Sequence, residues 1–354
     1  MDMESKLSIR HLTVSFATPA GRVHAVRGID LEVRNGETLA IVGESGSGKS
    51  VTSKAVLGIL PGNARVESGE IRYDGRDLLR LSEKELQKIR GRQIAMIFQD
   101  PLSALDPIMK IGRQLTETMC WGKGALSRRE AKKRALKLMA EVGIPDPGRC
   151  YGQYPFELSG GMRQRIVIAM ALASDPEVLL CDEPTTALDV TIQAQILDLI
   201  NRLKAERHLS IIFITHDLGV VAHMADRIAV MYAGKIVEYG TAEEIFYHAA
   251  HPYTWALLSS MPDPETSGRL EAIPGSPPIL TTLPTGDAFA PRNPYAMQID
   301  LEKEPPMFRI SNTHCAATWL LHPNAPRVSP PKGVTERIQR MKEHLSNEEA
   351  KHHE

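Results

Sequence analysis

The sequence predicts an α/β fold with a mostly parallel central sheet, and three observations support this prediction. Short apolar runs such as "ETLAIVG" (37–43) have strand character and are followed by segments with helical character. The runs in "EVLLCDE" and "LSIIFITHD" end in polar residues just before the next helix. Apolar residues recur at helical spacing over 191–206. This order is typical of parallel strands whose carboxyl ends carry the functional residues.

Charge and hydropathy exclude several classes of protein. The 354-residue chain has 42 lysines and arginines against 43 aspartates and glutamates, a net charge of −1, so we expect no nucleic-acid partner. No apolar run approaches the ~18 residues of a membrane-spanning helix, and "MDMESKLSIR" lacks the apolar core of a signal peptide. The four cysteines are far apart in sequence, which favours free, buried thiols in a reducing compartment. We therefore expect a cytosolic protein.

Proline marks the main boundary along the chain, because fourteen of the 24 prolines fall between Pro262 and Pro331. We predict a core domain over 5–261, a proline-rich extension over 262–335 and a charged helical tail over 336–354. Within the core, residues from about 100 to 170 show helices without strands, which indicates a helical insertion in the α/β domain.

Local signals predict where two helices begin. Ser82 with Glu85, and Ser127 with Glu130, each match the capping-box pattern at a helix start. The helix after Ser127 is expected to end with Gly143 as its C-cap, since glycine adopts the left-handed conformation found there.

A glycine-rich loop, "GESGSGKS", lies between a predicted strand and a predicted helix. Glycines let backbone N–H groups close around phosphate oxygens, the lysine neutralises the β- and γ-phosphates, and the final serine ligates Mg²⁺. The alternative, a plain glycine-rich connector, gives the lysine and the serine no role. The predicted nucleotide-binding residues of this phosphate loop are Gly43, Glu44, Ser45, Gly46, Ser47, Gly48, Lys49, Ser50 and Val51.

An acidic pair follows the buried run "VLL", at Asp182 and Glu183. Neighbouring strand residues normally face opposite sides, so one carboxylate can hold the metal while the other orients or deprotonates a water. We assign Asp182 to Mg²⁺ and Glu183 to the base. A surface acidic pair at a strand end is the alternative, and the phosphate loop argues against it.

Two further polar residues end apolar runs. His216 follows "LSIIFIT", where it can reach a γ-phosphate, although a lone histidine is more often structural. Gln99, in "IFQDP", opens the helical insertion, where its amide can contact Mg²⁺ or the attacking water and report their state to the helices. Without the other motifs, Gln99 would be interpreted as a loop residue.

A second anion-binding pattern, "LSGGMRQR" (158–165), opens the apolar helix "IVIAMALA" more than a hundred residues after the phosphate loop. A helix start offers unpaired N–H groups and a partial positive charge to an anion. One chain thus carries two anion-binding motifs far apart in sequence, and the residues alone do not say why.

The motifs "GESGSGKS", "FQDP", "LSGGMRQR", "VLLCDEP", "TALD" and "ITHD" follow one another with near-standard spacing, and residues from about 5 to 255 resemble the ATPase subunit of an ABC transporter. The resemblance implies a P-loop NTPase core, an antiparallel N-terminal β-subdomain, and ATP and Mg²⁺ as ligands. It implies that Phe16 stacks on adenine, that Gln99 serves the metal and coupling, that Glu183 is the catalytic base and that His216 contacts the γ-phosphate.

The same resemblance explains the second motif. In such ATPases two subunits hold ATP head to tail, the phosphate loop of one facing the "LSGG" of the other. Ser159, Gly160 and Gly161 would then bind the partner's nucleotide, and Asp189 of "TALD" would line the contact between subunits.

The C-terminal segments "HPYTWALLSSMP", "IPGSPP", "GDAFAPRNPYAM" and "EKEPPMF" are similar to the ATPases of oligopeptide and dipeptide permeases, to about residue 331. This resemblance implies two transmembrane permease subunits, a second ATPase subunit and an extracytoplasmic peptide-binding protein as partners. It places the chain peripherally on the cytoplasmic side of the cell membrane. The second ATPase is expected to be a paralogue, with a second copy of this chain as the alternative.

Many relatives carry four extension cysteines that can hold an iron–sulfur cluster, and this sequence departs from that pattern. The corresponding positions are Asp287, Asn293, Asp300 and Thr318, and Cys315 lies three residues away. We therefore expect no cluster, and we expect proline-rich packing to hold the extension in place.

Other functions remain open from the sequence. Dipeptides, nickel or sugars travel through similar systems. A soluble ABC ATPase of translation or DNA repair would show two sets of motifs or a long coiled coil, and neither occurs here. A regulator that binds nucleotide without hydrolysis would lack Glu183 or His216, and both are present.

Overall fold

The computed structural model describes residues 5–120, 125–186, 188–261, 273–336 and 338–340. Its strands are β1 Ser5–Thr18, β2 Gly21–Arg34, β3 Thr38–Val42, β4 Ala64–Tyr73, β5 Arg76–Asp77, β6 Ile94–Ile97, β7 Val178–Asp182, β8 Ser210–Thr215, β9 Arg227–Tyr232, β10 Lys235–Thr241, β11 Phe308–Arg309 and β12 Cys315–Ala316. Its helices are α1 Lys49–Leu57, α2 Glu83–Ile89, α3 Pro101–Ala104, α4 Ile111–Glu117, α5 Arg128–Glu141, α6 Pro147–Tyr151, α7 Gly160–Leu172, α8 Val190–Arg207, α9 Leu218–Val221, α10 Ala242–Tyr247, α11 Pro252–Ser259 and α12 Gln298–Glu302.

The central sheet has the strand order β11-β12-β10-β9-β3-β8-β7-β6. Strands β9, β3, β8, β7 and β6 are parallel to one another, and β10 turns back antiparallel to β9. Every residue of β3, β7 and β8 is buried, which explains their continuous apolar character. The predicted α/β fold with a mostly parallel sheet is confirmed.

A second, antiparallel sheet has the order β2-β1-β4-β5 and forms the N-terminal β-subdomain that the resemblance implied. Leu7, Ile9, Leu12 and Val14 of β1 are buried in one apolar cluster, which also holds Leu39 and Ile41 of β3. The two sheets therefore share a core, and this core places β2 beside the start of α1.

The described residues between β6 and β7, with a gap at 121–124, contain helices and no strand, as the predicted insertion requires. Both predicted capping boxes are present at Ser82 and Ser127. The predicted end of α5 needs a correction of one residue. The C-cap is Val142, and Gly143 follows it with φ +79°, so the glycine is the left-handed residue just beyond the cap.

The C-terminal extension is part of the central sheet. Strand β12 pairs antiparallel with β10, joining Cys315 to Tyr239, and β11 pairs with β12. Beside this pairing, His314 Nε2 lies 2.8 Å from Glu238 Oε1, and both side chains are buried. The expectation of proline-rich packing alone is therefore incomplete, because strand pairing and buried polar contacts also hold the extension.

The four extension positions that carry cysteine in many relatives are all buried here. Each side-chain oxygen accepts a hydrogen bond from a nearby backbone N–H and so stabilises a turn. A carboxylate, an amide and a hydroxyl are not the thiolates that bind iron–sulfur clusters, so these residues do not fit such a group. The positions are Asp287, Asn293, Asp300 and Thr318.

The four cysteines are free thiols, and Cys150 and Cys181 are buried as expected. Cys120 and Cys315 are only half-buried, so the expectation of burial is wrong for these two. Burial raises the pKa of Cys150 to about 11, which keeps this thiol protonated and unreactive. Within the described residues, no helix is both long and apolar enough to cross a membrane. The predicted tail falls mostly outside the described residues, which end at residue 340.

Candidate nucleotide site

The phosphate loop runs from the end of β3 to the start of α1. Its backbone N–H groups therefore lie at a helix N-terminus, which favours anions. Two of its glycines are required by space as well as by conformation. A Cβ on Gly43 would lie 2.1 Å from the carbonyl oxygen of Met231, and one on Gly48 would lie 2.4 Å from that of Ala25. Gly48 also has φ +107°, which favours glycine. The neighbouring strands β2 and β9 thus enforce the loop shape.

Lys49 is buried beneath this loop. Its Nζ donates to the carbonyl oxygens of Gly43, at 2.7 Å, and Glu44, at 2.9 Å. Burial lowers the pKa of the ammonium group, and the charges of Glu183, Asp182 and Glu44 oppose that effect. The cation therefore lies inside the curve of the loop, where the sequence predicts a phosphate.

The predicted metal ligands from the phosphate loop and from β7 meet in the fold. Ser50 Oγ donates to Asp182 Oδ1 at 2.6 Å, although 132 residues separate them in sequence. Burial raises the pKa of Asp182, and the hydrogen bond from Ser50 opposes this rise. Hydroxyl and carboxylate oxygens are ligands that suit Mg²⁺. Among the described residues, no group of three or more His, Cys, Asp or Glu side chains is arranged to hold a metal ion.

The three predicted catalytic residues come together beside this pair. Glu183 Oε2 accepts hydrogen bonds from Gln99 Nε2 at 3.1 Å and from Thr186 Oγ1 at 2.9 Å. Glu183 Oε1 lies 3.3 Å from His216 Nδ1. Sequence reasoning missed Thr186, and the only available signal was its position three residues after Glu183.

The backbone explains why Asp182 and Glu183 have different environments. Strand β7 ends at Asp182, and Glu183 adopts a left-handed φ of +48°, which is unusual for a residue other than glycine. Its N–H donates to the carbonyl oxygen of Ile214 in β8, at 2.9 Å. The chain therefore turns at Glu183, and the two carboxylates contact different groups.

A cavity of about 1000 Å³ contains most of these groups. The phosphate loop lines one side, and Gln99, Glu183, Thr186 and His216 line another. The remaining lining includes residues that the sequence did not predict, from the end of α11 and from the extension: Leu257, Ser260, Ile273 and Pro277.

Phe16, the predicted adenine contact, is not part of this lining. It lies on β1 opposite Val23 of β2, and it is half-buried against the core shared by the two sheets. Ala25, two residues after Val23, contacts the phosphate loop at Gly48. Phe16 thus lies on β1, next to the strand β2 that contacts the phosphate loop. Its contact with adenine stays a prediction.

The second motif forms the start of α7. Ser159 is the N-cap, and its side chain accepts a hydrogen bond from the N–H of Met162. Ser159 and Gly160 are exposed. A Cβ on Gly161 would lie 3.0 Å from Ile192 in the first turn of α8, so the two helix starts pack side by side.

Asp189 is the N-cap of α8, accepts a hydrogen bond from the N–H of Ile192, and is exposed. Together the starts of α7 and α8 form one surface, which we call the signature surface: Ser159, Gly160, Gly161, Leu188, Asp189 and Val190. Its residues do not line the cavity of the phosphate loop. The predicted binding residues of the phosphate loop and those of the signature surface thus lie in two separate places on this chain, and Phe16 belongs to neither.

Comparison with known proteins identifies both parts of the chain. Residues 26–186 match the ABC transporter family, and residues 237–299 match the C-terminal region of oligopeptide/dipeptide transporters. The oligopeptide transport ATP-binding protein OppD of Bacillus subtilis strain 168 is 57% identical, with 95% of this chain and 94% of that protein covered. The dipeptide transport ATP-binding protein DppD of Lactococcus lactis strain MG1363 is 55% identical, covering 97% and 99%.

Solved structures agree with this result. A dimer of the ATP-binding cassette MJ0796 in a post-hydrolysis state, bound to ADP and Pi, superimposes with a TM-score of 0.60 and 28% identity. It covers 67% of this chain and 98% of its own. The phosphate loop, the acidic pair and the second anion-binding helix therefore occur together for one reason. The chain belongs to the ABC transporter family of ATP-binding proteins, in the group that carries the oligopeptide and dipeptide transporter C-terminal region.

Proposed function

We propose that the chain binds ATP with Mg²⁺ and hydrolyses ATP to energise an ABC importer of oligopeptides. The observation that carries the proposal is the convergence at one sheet edge of the Ser50–Asp182 hydrogen bond and the contacts of Glu183 with Gln99 and His216. Phosphate-binding and water-orienting groups that line one cavity are the arrangement that phosphoryl transfer needs.

The residues of this chain divide the work. The loop N–H groups and Lys49 bind the triphosphate, and Ser50, Asp182 and Gln99 would hold Mg²⁺, which supplies charge neutralisation at the phosphate oxygens when bound. Glu183 accepts the proton of the attacking water, while the amide of Gln99 fixes the carboxylate. His216, with 57% of its side chain exposed, is free to turn from Glu183 toward the γ-phosphate.

The separation of the two anion-binding places supports a shared nucleotide site. We infer that ATP lies between the phosphate loop of one subunit and the signature surface of another, with Asp189 at their contact. The related cassette MJ0796 is dimeric with bound ADP and Pi. ATP then holds the subunits together, and its hydrolysis releases them, which gives a two-state element that can drive transport.

We infer that the partners are a second ATPase subunit, two transmembrane permease subunits and an extracytoplasmic peptide-binding protein, with this chain on the cytoplasmic face of the membrane. A paralogue is the favoured second ATPase. Oligopeptides are the favoured cargo because OppD is the more similar of the two bacterial relatives named above. Dipeptides are the second candidate, because DppD of Lactococcus lactis is 55% identical.

The test is reconstitution of the chain in lipid vesicles with permeases, partner ATPase and binding protein. We expect Mg²⁺-dependent ATP hydrolysis and uptake of labelled tetrapeptide above dipeptide. Uptake of dipeptide but not tetrapeptide would identify dipeptides as the cargo. ATP hydrolysis without uptake of either peptide would refute the transport proposal. Full hydrolysis by an isolated monomer would refute the shared site.

We further propose that the extension functions without an iron–sulfur cluster. The support is that the side chains at the four buried positions present oxygen atoms and not thiolates, and that each accepts a hydrogen bond from a backbone N–H. Chemical assay of the purified chain for iron and acid-labile sulfide tests this, and stoichiometric amounts of both would refute it.

A further inference from the structure

The C-terminal extension contacts the phosphate loop through one ion pair. Arg292 Nη1 donates to Glu44 Oε2 at 2.6 Å, and Arg292 Nη2 donates to Glu44 Oε1 at 2.9 Å. The two parallel hydrogen bonds form a bidentate pair, a strong and directional kind of contact. The partners are 248 residues apart in sequence, and only 5% of the arginine side chain is exposed. A residue of the extension is therefore built into the nucleotide site.

The guanidinium group is fixed from several sides, which gives this contact a defined direction. Its Nε donates to the carbonyl oxygen of Pro274 at 2.7 Å, and its Nη1 also donates to the hydroxyl of Tyr232 at 3.2 Å. The ring of Phe289 lies beneath it, 5.9 Å from the guanidinium carbon. An arginine held in this way presents a preformed fork to the loop and loses little freedom on binding.

Glu44 is held at three points. Its N–H donates to the hydroxyl of Tyr253 in α11 at 2.8 Å, and its carbonyl oxygen accepts from Lys49. Its carboxylate is the third point, held by Arg292. The backbone contacts orient the first turn of the loop, and the carboxylate contact joins this turn to the extension.

Charge gives the pair a second consequence. Glu44 is a carboxylate within a loop that binds a triphosphate, and its charge acts on buried Lys49. A free carboxylate there would repel the phosphates and compete for the lysine. The arginine neutralises the charge and holds it on the side that faces the extension. The pair also joins the two parts of the chain that match known families. Glu44 lies in the part that matches the ABC transporter family, and Arg292 lies in the part that matches the C-terminal region of oligopeptide/dipeptide transporters.

We propose that Arg292 is a positioning residue for the nucleotide: through Glu44 it fixes the phosphate loop and neutralises the carboxylate that would oppose ATP. The extension is then part of the ATP site and not merely an appendage. This inference rests on the proposed binding of ATP, and the experiment below separates the failure of one from the failure of the other.

The test measures binding of Mg-ATP by calorimetry to the full chain carrying Glu183→Gln, so that ATP is not consumed. We expect Arg292→Gln to weaken the affinity about tenfold or more, since it leaves the half-buried carboxylate of Glu44 unpaired beside the phosphates. The affinity of Arg292→Lys should lie between those of the reference chain and Arg292→Gln, because lysine keeps the positive charge but cannot form the two parallel hydrogen bonds. Adding Glu44→Gln to Arg292→Gln should restore part of the affinity, because the unpaired negative charge is gone.

Arg309→Gln is the matched control, because Arg309 is an exposed arginine of the extension whose side chain hydrogen-bonds to neighbouring Ser311 and Asn312. Thermal unfolding of each variant accompanies the titrations. Unchanged affinity in Arg292→Gln would overturn the proposal, and so would a double variant that binds no better than Arg292→Gln. If Arg292→Gln does not fold, affinity in Arg292→Lys equal to the reference overturns it. Absence of binding in the reference chain would instead refute the proposed function.

Discussion

The two helix starts that carry glycines, α1 after the phosphate loop and α7 after Ser159, offer the same backbone chemistry in opposite surroundings. At α1, neighbouring strands press on the glycines, and Lys49 is buried and bonded to the loop carbonyls. At α7, Ser159 and Gly160 are exposed, and the near contacts of the glycines are apolar side chains from the start of α8.

This difference distinguishes the two halves of the proposed nucleotide site. The phosphate-loop half already brings together Lys49, the predicted metal ligands and the predicted base, and Arg292 of the extension contacts it. At the signature surface two capped helix N-termini lie side by side, and the carboxylate present there, Asp189, caps α8 itself. An anion is held weakly by a helix start alone, which supports the proposal that groups from another subunit complete this half.

The largest expected effect comes from Glu183→Gln, which keeps the size of the side chain and removes the base. Hydrolysis by the assembled transporter should fall by about 10²–10⁴-fold, while affinity for Mg-ATP stays within a few-fold of wild type. Steady-state phosphate release and calorimetric titration measure the two quantities. The exposed Glu206→Gln on α8 is the control, and activity equal to wild type would remove Glu183 as the base.

A somewhat smaller loss is expected from Gly43→Ala. The new Cβ would lie 2.1 Å from the carbonyl oxygen of Met231, so the loop must move away from β9. We expect ATP affinity to fall by about 2–3 kcal/mol, the size of a strained or misplaced backbone site. Gly62→Ala is the control, because a Cβ there meets nothing within 4 Å. Equal affinities for the two variants would show that the loop shape is not enforced.

Ser159→Arg tests the other half of the comparison. The side chain is exposed, so binding of ATP by the single chain should change by less than about twofold, while hydrolysis in the assembled transporter should fall about tenfold or more. Ala140→Arg is the control, since it adds the same side chain at an exposed position of α5 in the helical insertion. A loss of single-chain binding in Ser159→Arg would place this residue in its own subunit's site.

The last expected effect is on stability and not on the reaction, and it concerns the extension that contacts the phosphate-loop half. Burial raises the pKa of Asp287 to about 6, and the charges of Asp300 and Glu304 add to the rise while that of Arg27 opposes it. A raised carboxyl pKa means that stability is present below the unfolded-state pKa and is lost as the pH rises through the folded-state pKa.

Asp287→Asn should therefore unfold like wild type near pH 4 and be more stable above pH ~6, by at most about 3 kcal/mol. The amide oxygen still accepts the hydrogen bond from the N–H of Phe289. Urea unfolding across pH 4–8 measures the difference, and the exposed Asp198→Asn is the control. A stability difference that does not change with pH would contradict the assignment of the raised pKa to Asp287.

Local patterns predicted much of the fold and of the site. The strand–loop–helix order located the phosphate loop, the polar ends of buried strands located Asp182 and His216, and the capping boxes located two helix starts. These signals are readable because they depend on residues close in sequence. The left-handed backbone at Glu183 could not be predicted from the sequence, because a hydrogen bond to Ile214 on the neighbouring strand β8 imposes it.

By itself, the sequence determined the chemistry: a phosphate-binding loop, an acidic pair and a second anion-binding helix in one chain. Tertiary structure alone decided that Ser50 meets Asp182, that the signature surface is separate from the phosphate loop, and that Arg292 reaches Glu44. The physical reason is distance along the chain. Residue type and local spacing fix hydrogen-bonding capacity, whereas strand order and packing decide which distant groups share a low-dielectric cavity.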